Sequence, residues 1–177
     1  MIKWKKMLLA KGKNVAIEGV EQPKLLEINK YLWLRKYDGY LDFAFEWHQD
    51  LELVWLVDGN KEPYTLDRLN RMYGYLATNG ECYFIEILEN GQFLPIGDVT
   101  LLRDDFAIAI GDKRYWNKGI GTKVLQRMVE RARELSFVEI FVEEIYDWNL
   151  GSRKLFEKCG FEVVEKTQKG WSYRLTL

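Results

Sequence analysis

The segment "RYWNKGIGTKVLQRMVERAREL", residues 114–135, places two closely spaced glycines directly before an amphipathic helix. The first turn of an α-helix carries unpaired N–H groups and a partial positive charge, so a glycine-lined entry suits a phosphate group. Gly119 and Gly121 let a ligand approach the backbone closely. Two well-known phosphate loops are excluded, because no Lys-Ser/Thr follows at the Walker spacing and Val124 stands where a dinucleotide-binding loop has its last glycine.

Carboxylates offer a second kind of chemistry, the acceptance of a proton. Asp98 in "PIGDVTL" is a charge within an otherwise apolar strand, and such a group is either paired or functional. Asp112 follows the next strand, and Glu86 and Asp105 are further candidates. For each of them, a solvated or salt-bridged carboxylate is the alternative.

Histidine and cysteine offer little chemistry in this chain. His48 is the only histidine, and Cys82 and Cys159 are the only cysteines, so zinc sites built from several such ligands are excluded. We expect the cysteines to be reduced packing residues, and no histidine follows Cys159 to activate it. His48 is a further candidate base, although a lone histidine near aromatic residues more often has a structural or surface role.

A mixed succession of strands and helices must position these residues. Strand 105–111, helix 119–135 and strand 138–146 form a β-α-β unit, whose crossover makes its two strands parallel. The expected fold class is α/β (α+β), with a central sheet that is mostly antiparallel and contains one parallel pair. The remaining predicted elements are a strand at 25–37, a short helix or irregular segment at 38–50, a helix at 65–80, strands at 82–88 and 93–103, a helix at 149–160 and a final hairpin at 161–177.

Length and composition indicate one soluble domain, residues 1–177. Hydrophobic residues make up 47% of the chain, and no apolar run approaches the ~18 residues of a membrane span. The formal net charge is −1 with dispersed Lys and Arg, so neither a nucleic acid nor a membrane is expected as a partner. The first 15 residues hold too short an apolar stretch for a secretion signal, which makes the cytoplasm the expected location.

An acidic segment precedes the helix at 65–80. Residues 38–62 contain seven Asp and Glu side chains against Lys61 alone. This segment is either a solvated face or a wall that attracts a cation.

Two motifs together resemble those of the GCN5-related N-acetyltransferase (GNAT) superfamily. "WNKGIGTKVL" is similar to its loop Arg/Gln-x-x-Gly-x-Gly/Ala, and "NLGSRKLFEKCGF", residues 149–161, is similar to its Asn-x-x-Ser/Ala-x-x-x-Tyr helix before Gly-Phe. The resemblance covers about residues 82–165. It implies a sheet with helices on both faces, in which the parallel pair splays apart around acetyl-CoA.

The resemblance also assigns residues to the cofactor. Backbone amides of the loop would hold the pyrophosphate of coenzyme A, the end of strand 105–111 would pair with the pantetheine arm, and the second motif would line its path. The residues so implied are Ile110, Trp116, Asn117, Lys118, Gly119, Ile120, Gly121, Thr122, Asn149, Ser152 and Phe156.

Two positions depart from the family's pattern. Trp116 replaces Arg or Gln, which matters little if the loop binds through its backbone. Phe156 replaces the tyrosine that often acts as the general acid. The pKa of a thiol, ~8.5, lies about 1.5 units above pH 7, so departure of the thiol as a thiolate has a small cost. The pKa of an amine, ~10.4, lies about 3.4 units above pH 7, so loss of its proton has a larger cost. A base is therefore needed more than the acid, and Asp98 and Asp112 are the expected catalytic residues.

"WHQDLEL", a long helix and "PIGDVTL" are together similar to the branch that contains aminoglycoside 6'-N-acetyltransferases and ribosomal-protein alanine N-acetyltransferases. The predicted acceptor is a cationic small-molecule amine, aminoglycoside- or polyamine-like, bound near Trp47, Asp50 and Glu86 by a monomer or homodimer. Trp33, Trp55 and Tyr64 are further candidates for a substrate wall.

Three alternatives to a small-molecule acetyltransferase stay open. One is a protein N-terminal acetyltransferase. Another is a non-catalytic acyl-CoA sensor, which the loss of tyrosine at Phe156 favours. The third is a phosphate-binding protein unrelated to coenzyme A.

Overall fold

Strands and helices alternate along the part of the chain that the structure, a computed structural model, describes, residues 20–177. The segment read for a secretion signal lies outside these residues. The elements are β1 (Leu25–Asn29), β2 (Leu32–Lys36), α1 (Asp42–Trp47), α2 (Leu51–Asp58), α3 (Leu66–Asn79), β3 (Gly80–Glu89), β4 (Gln92–Leu102), β5 (Phe106–Ile110), a 3-10 turn (Lys113–Tyr115), α4 (Ile120–Glu134), β6 (Glu139–Tyr146), α5 (Leu150–Lys158), β7 (Glu162–Lys166) and β8 (Gly170–Thr176).

The N-terminal third differs from the sequence prediction in two places. The single strand expected at 25–37 is a hairpin of β1 and β2, whose turn is supported by a hydrogen bond from Tyr31 N to Asn29 Oδ1 (2.9 Å). The helix α2 was not predicted, although its signals are present. Asp50 accepts from the amides of Glu52 and Leu53 at its start, and Gly59 ends it with φ 61°.

The strands form two sheets that part between β5 and β6. One sheet has the order β1-β2-β3-β4-β5, the other has the order β6-β8-β7, and every registered pair is antiparallel. Within the described residues, β5 and β6 share no ladder and are linked near one end by a hydrogen bond from Glu143 N to Asp105 Oδ1 (2.9 Å). The two strands of the predicted splayed pair therefore lie in different sheets.

Helices cover both faces of the five-stranded sheet, as predicted. Successive residues of a strand point to opposite faces. Tyr83 and Ile85 accordingly pack with α4 in one core, whereas Cys82 and Phe84 pack with α1 and α3 in the other. The second core brings α1, α2 and α3 to the side of the sheet on which the candidate site lies.

Candidate functional site

The loop between β5 and α4 presents unpaired backbone amides. Asn117 and Gly119 both have left-handed backbone angles, φ 58° and 73°. Trp116 N donates to Lys113 O (3.1 Å), but the next six amides, 117 to 122, donate to no other group of residues 20–177. A Cβ on Gly121 would lie 3.1 Å from Leu155 Cδ2, so the glycine lets α4 and α5 approach closely. This loop therefore meets the requirement of a phosphate-binding site.

A groove of about 370 Å³ runs from this loop along β5 to α5. Three lysines border it: Lys118, Lys154 and Lys158. Ten of the eleven predicted cofactor residues also border it: Ile110, Trp116, Asn117, Lys118, Gly119, Ile120, Gly121, Thr122, Asn149 and Ser152. The tertiary structure thus brings the two sequence motifs together around one basic groove.

Two of these side chains already have partners within the protein. The Trp116 indole Nε1 donates to Ile110 O (2.6 Å), so that carbonyl at the end of β5 is occupied. Asn149 starts α5 by accepting from Ser152 N (3.0 Å), and its Nδ2 donates to Leu56 O (3.0 Å). Both residues therefore hold the walls of the groove in position, a role that sequence spacing alone does not reveal.

The helix α2 bridges the splayed strands. Besides the Asn149 bond, the Trp148 indole Nε1 donates to Trp55 O (3.0 Å), and the two tryptophan rings stack with their centroids 4.2 Å apart. Leu56 and Val57 consequently roof the groove. Residues 93 positions apart in sequence thus close the site over the gap in the sheet.

A second, smaller cavity of about 130 Å³ adjoins the groove; we call it the acceptor chamber. The two cavities share Ile108, Ala109, Asn149 and Ser152 in their walls. Phe156, the remaining predicted cofactor residue, borders the chamber and packs edge-on against Phe106 and Phe161. This position has no hydroxyl group to donate a proton.

The acceptor chamber is acidic. The charged or titratable side chains around it include Asp98, Asp105, Glu144 and His48, whereas no Lys or Arg of the described chain borders it. The groove and the chamber therefore have opposite electrostatic character.

Asp98 lies inside the chamber wall on β4, opposite Ala109 of β5. Its side chain is 7% exposed and accepts a hydrogen bond from the Tyr73 hydroxyl (2.8 Å). Burial raises the pKa of Asp98, and the nearby His48 and the Tyr73 hydrogen bond only partly offset this effect. The carboxyl group is thus buried beside the chamber without a cationic Lys or Arg partner in residues 20–177.

Asp112 borders neither cavity. It caps the 3-10 turn by accepting from Arg114 N (2.9 Å), and the Arg114 guanidinium lies 2.7 Å from Oδ2. Hydrogen bonds from the Arg114 side chain hold the pKa of Asp112 below its usual value. The structure thus separates the two carboxylates that the sequence offered as bases.

The predicted substrate residues also lie outside the chamber. Trp47 packs on Gly111, where an added Cβ would meet its ring at 2.2 Å. Asp50 is bound to Lys113 Nζ (2.6 Å), and Glu86 is bound to Arg35 Nε (2.6 Å).

The acidic segment 38–62 is largely paired. Asp38, Asp50, Glu52 and Asp58 all form ion pairs with Lys or Arg. Of the four aromatic residues considered for a substrate wall, only Tyr64 borders the chamber.

The cysteines have the packing role that the sequence indicated. Both are free thiols, and burial raises the pKa of Cys82 to about 12. Cys159 ends α5 and borders neither cavity. Residues 20–177 contain no metal-ligand cluster of three or more side chains and no helix that could span a membrane.

His48 and Tyr73 are the site residues that sequence reasoning undervalued. The His48 ring is 3% exposed, borders the chamber and has Nδ1 2.8 Å from Ala44 O. Its proximity to Asp98 follows from the packing of α1 and α3 on β4, for which the sequence contains no local signal.

The fold is that of an α/β protein, and the groove where its sheet splits has the unpaired amides and the lysines that suit a phosphate-bearing cofactor. The sequence profile of the acetyltransferase (GNAT) family matches residues 32–161. No curated protein matches the chain. Because the profile covers well over half of its length, the chain belongs to the acetyltransferase (GNAT) family. The predicted enzyme class and the donor, acetyl-CoA, are confirmed at the level of this family.

Solved structures share the fold. A domain from Methanocaldococcus jannaschii DSM 2661 is 22% identical with a TM-score of 0.74, over 82% of this chain and 98% of that one. An acetyltransferase from Agrobacterium tumefaciens str. C58 is 14% identical with a TM-score of 0.71, over 89% and 97%. The aminoglycoside acetyltransferase AAC(6')-Ib in complex with coenzyme A is 20% identical with a TM-score of 0.67, over 82% and 94%. These likenesses confirm the predicted fold class.

Proposed function

We propose that the protein transfers an acetyl group from acetyl-CoA to the primary amine of a small cationic molecule by direct attack of the amine. One observation carries this proposal. A basic groove with unpaired amides adjoins an acidic chamber that no Lys or Arg of residues 20–177 borders, so an anionic donor and a cationic acceptor would meet where the cavities join.

The groove fits coenzyme A at its phosphate end. The unpaired amides between Asn117 and Thr122 supply donors that a diphosphate needs, and Lys118 and Lys154 add positive charge. The cofactor would supply the activated thioester, and Ile108 and Asn149, which border both cavities, would direct its reactive end towards the chamber.

The chamber limits the size of the group that reacts. Its volume is about 130 Å³, and a cavity of about 150 Å³ holds a single benzene molecule. One aminoalkyl arm therefore fits, while the ring system of an aminoglycoside would remain outside. The aminoglycoside acetyltransferase AAC(6')-Ib is described with ribostamycin and coenzyme A, which supports an acceptor of this kind.

Asp98 is the carboxylate to which we assign a part in removing the proton from the acceptor. A carboxylate whose pKa is raised by burial is a better base than one held ionised by a guanidinium, as Asp112 is. The acidic lining also favours entry of the amine as an ammonium ion.

A non-catalytic acyl-CoA sensor is the second candidate, because Phe156 provides no acid for the departing sulfur. Both candidates predict binding of coenzyme A, and only the first predicts turnover.

The test measures thiol release from acetyl-CoA with the purified protein and a panel of polyamines, aminoglycosides and N-terminal peptides. We expect turnover with a small cationic amine, a loss of at least ~100-fold in kcat for Asp98→Asn, and a change of only a few-fold for the matched variant Asp112→Asn. The affinity for coenzyme A should be unchanged in both variants.

Other outcomes are equally informative. Turnover with N-terminal peptides alone makes the protein an N-terminal acetyltransferase, and thermal stabilisation by coenzyme A without any turnover makes it a sensor. Stabilisation by inorganic diphosphate, ATP and NAD but not by coenzyme A would refute the cofactor assignment.

A further inference from the structure

His48 is a titratable group in the acceptor chamber that the assignment above does not use. It follows α1 and is buried, with its ring 4.7 Å from that of Tyr64. Tyr64 N donates to His48 O (3.1 Å), which fixes the backbone at this position. The histidine is therefore held rigidly at the chamber wall.

The backbone also determines which ring nitrogen carries the proton. A carbonyl oxygen can only accept a hydrogen bond, so Nδ1, which lies 2.8 Å from Ala44 O, must be the donor. In the neutral imidazole, Nε2 is then the basic nitrogen. Within residues 20–177, Nε2 has no hydrogen-bond partner, and His48 borders the chamber, so Nε2 is the nitrogen available to a ligand there.

Titratable groups from several elements border the chamber beside His48. Asp98 on β4 interacts electrostatically with His48 and is itself hydrogen-bonded by Tyr73 on α3. The other titratable groups at the chamber are Tyr64 before α3, Asp105 before β5, and Glu144 and Tyr146 on β6. The chamber wall formed by residues 20–177 contains no Lys or Arg.

We propose that His48 Nε2 is the proton acceptor for the attacking amine, and that Asp98 is a positioning residue that acts through it. This inference rests on the proposed acetyl transfer. An imidazole accepts a proton near neutral pH, the range in which a general base is most effective. The same nitrogen can return a proton to the departing sulfur, a step for which Phe156 has no hydroxyl group.

His48 Nε2 alone carries both proton transfers of the reaction. The ammonium loses its first proton to Nε2, which passes it to solvent. The amine lone pair then forms the C–N bond, and the C–S bond breaks with its electron pair on sulfur. A second N–H proton reaches the sulfur through Nε2, so that the products are an amide, a free thiol and one proton.

The test compares the wild-type enzyme with His48→Gln, whose side-chain N–H can still donate to Ala44 O but cannot accept a proton. With the amine found in the panel, kcat should fall 100-fold to 10,000-fold while the affinity for coenzyme A stays within twofold. The acidic limb of the pH profile of kcat/KM should disappear. Asp98→Asn should lower kcat but keep this limb, because the basic nitrogen of His48 is still present.

His48→Ala keeps the proposal falsifiable if the glutamine variant folds poorly. It opens space in the chamber, so added imidazole should restore turnover, whereas pyrrole, a ring of similar size without a basic nitrogen, should not. The proposal is overturned if His48→Gln keeps more than one third of the activity with its acidic limb intact, or if imidazole fails to rescue a folded His48→Ala. A wild-type protein that turns over no amine would instead refute the proposed function.

Discussion

The charge of Asp98 should lower the stability of the fold, although we propose that it supports activity. Its carboxylate is 7% exposed and has one hydrogen bond, from Tyr73, to offset its loss of hydration. The substitution Asp98→Asn would keep an acceptor oxygen for Tyr73 and remove the charge. The effective cost of burying an ion is several kcal/mol, which the hydrogen bond and His48 offset in part. We therefore expect this variant to stabilise the fold by about 1–2 kcal/mol at pH 7.

The stability gained by Asp98→Asn should depend on pH, because it reflects the ionisation of Asp98. The folded-state pKa of Asp98 is raised, so the native protein binds the proton more tightly than the unfolded chain does. The cost is absent below the unfolded pKa, near 3.8, and is fully present above the folded pKa. The stability gained by Asp98→Asn should therefore be close to zero near pH 4 and grow towards neutral pH.

Thermal unfolding of both proteins between pH 4 and pH 8 measures this gain. For a chain of this length, about 1–2 kcal/mol corresponds to a rise in Tm of about 2–8 °C. Glu86→Gln is the matched control, because Glu86 is equally buried but is bound to Arg35 at 2.6 Å, so this variant should lose stability. An Asp98→Asn protein that is less stable than wild type at pH 7, or a gain that does not shrink on acidification, would refute the reasoning.

Two further predictions concern the core. Arg131 is bound to Glu81 through Nε (2.9 Å) and Nη2 (2.7 Å), so Arg131→Met should lower the free energy of unfolding in urea by about 3–5 kcal/mol. Adding Glu81→Gln should recover part of this loss, because no buried charge is then left unpaired. A double variant that is no more stable than Arg131→Met would contradict a coupled pair. Burial raises the pKa of the Cys82 thiol to about 12, so a thiol reagent at pH 8 should leave Cys82 unmodified in the native protein and modify it in urea. The variant Cys82→Ser shows which part of the measured modification belongs to Cys82. Rapid native modification of Cys82 would show that β3 opens.

Local periodicity determined most of the elements. The helix predicted at 119–135 is α4, Ile120–Glu134, and the meander predicted at 82–111 is β3, β4 and β5. These elements are predictable because alternating or helical spacing of apolar residues is a property of neighbouring positions. The interruption of 25–37 was missed, because the turn at Lys30 and Tyr31 contains neither glycine nor proline.

The glycine-lined loop before α4 was equally predictable, because its glycines, its helix and the second motif are each contiguous in sequence. The acceptor side was not. Asp112 and Asp98 both follow or interrupt apolar strands in the sequence, yet one is paired with Arg114 and the other is buried beside the chamber. The sequence does not separate the two, because burial of a carboxylate beside a cavity depends on which elements pack around it.

The sequence by itself thus determined the mixed fold, the glycine-lined loop before α4 and the family of this protein, because each depends on the order and spacing of residues along the chain. Only the tertiary structure decided which carboxylates are buried, where the sheet splits, and that His48 and Asp98 border one chamber. Those features depend on the lateral packing of α1, α2 and α3 against β4 and β5, and residues far apart along the chain carry no local signal of their distance in space.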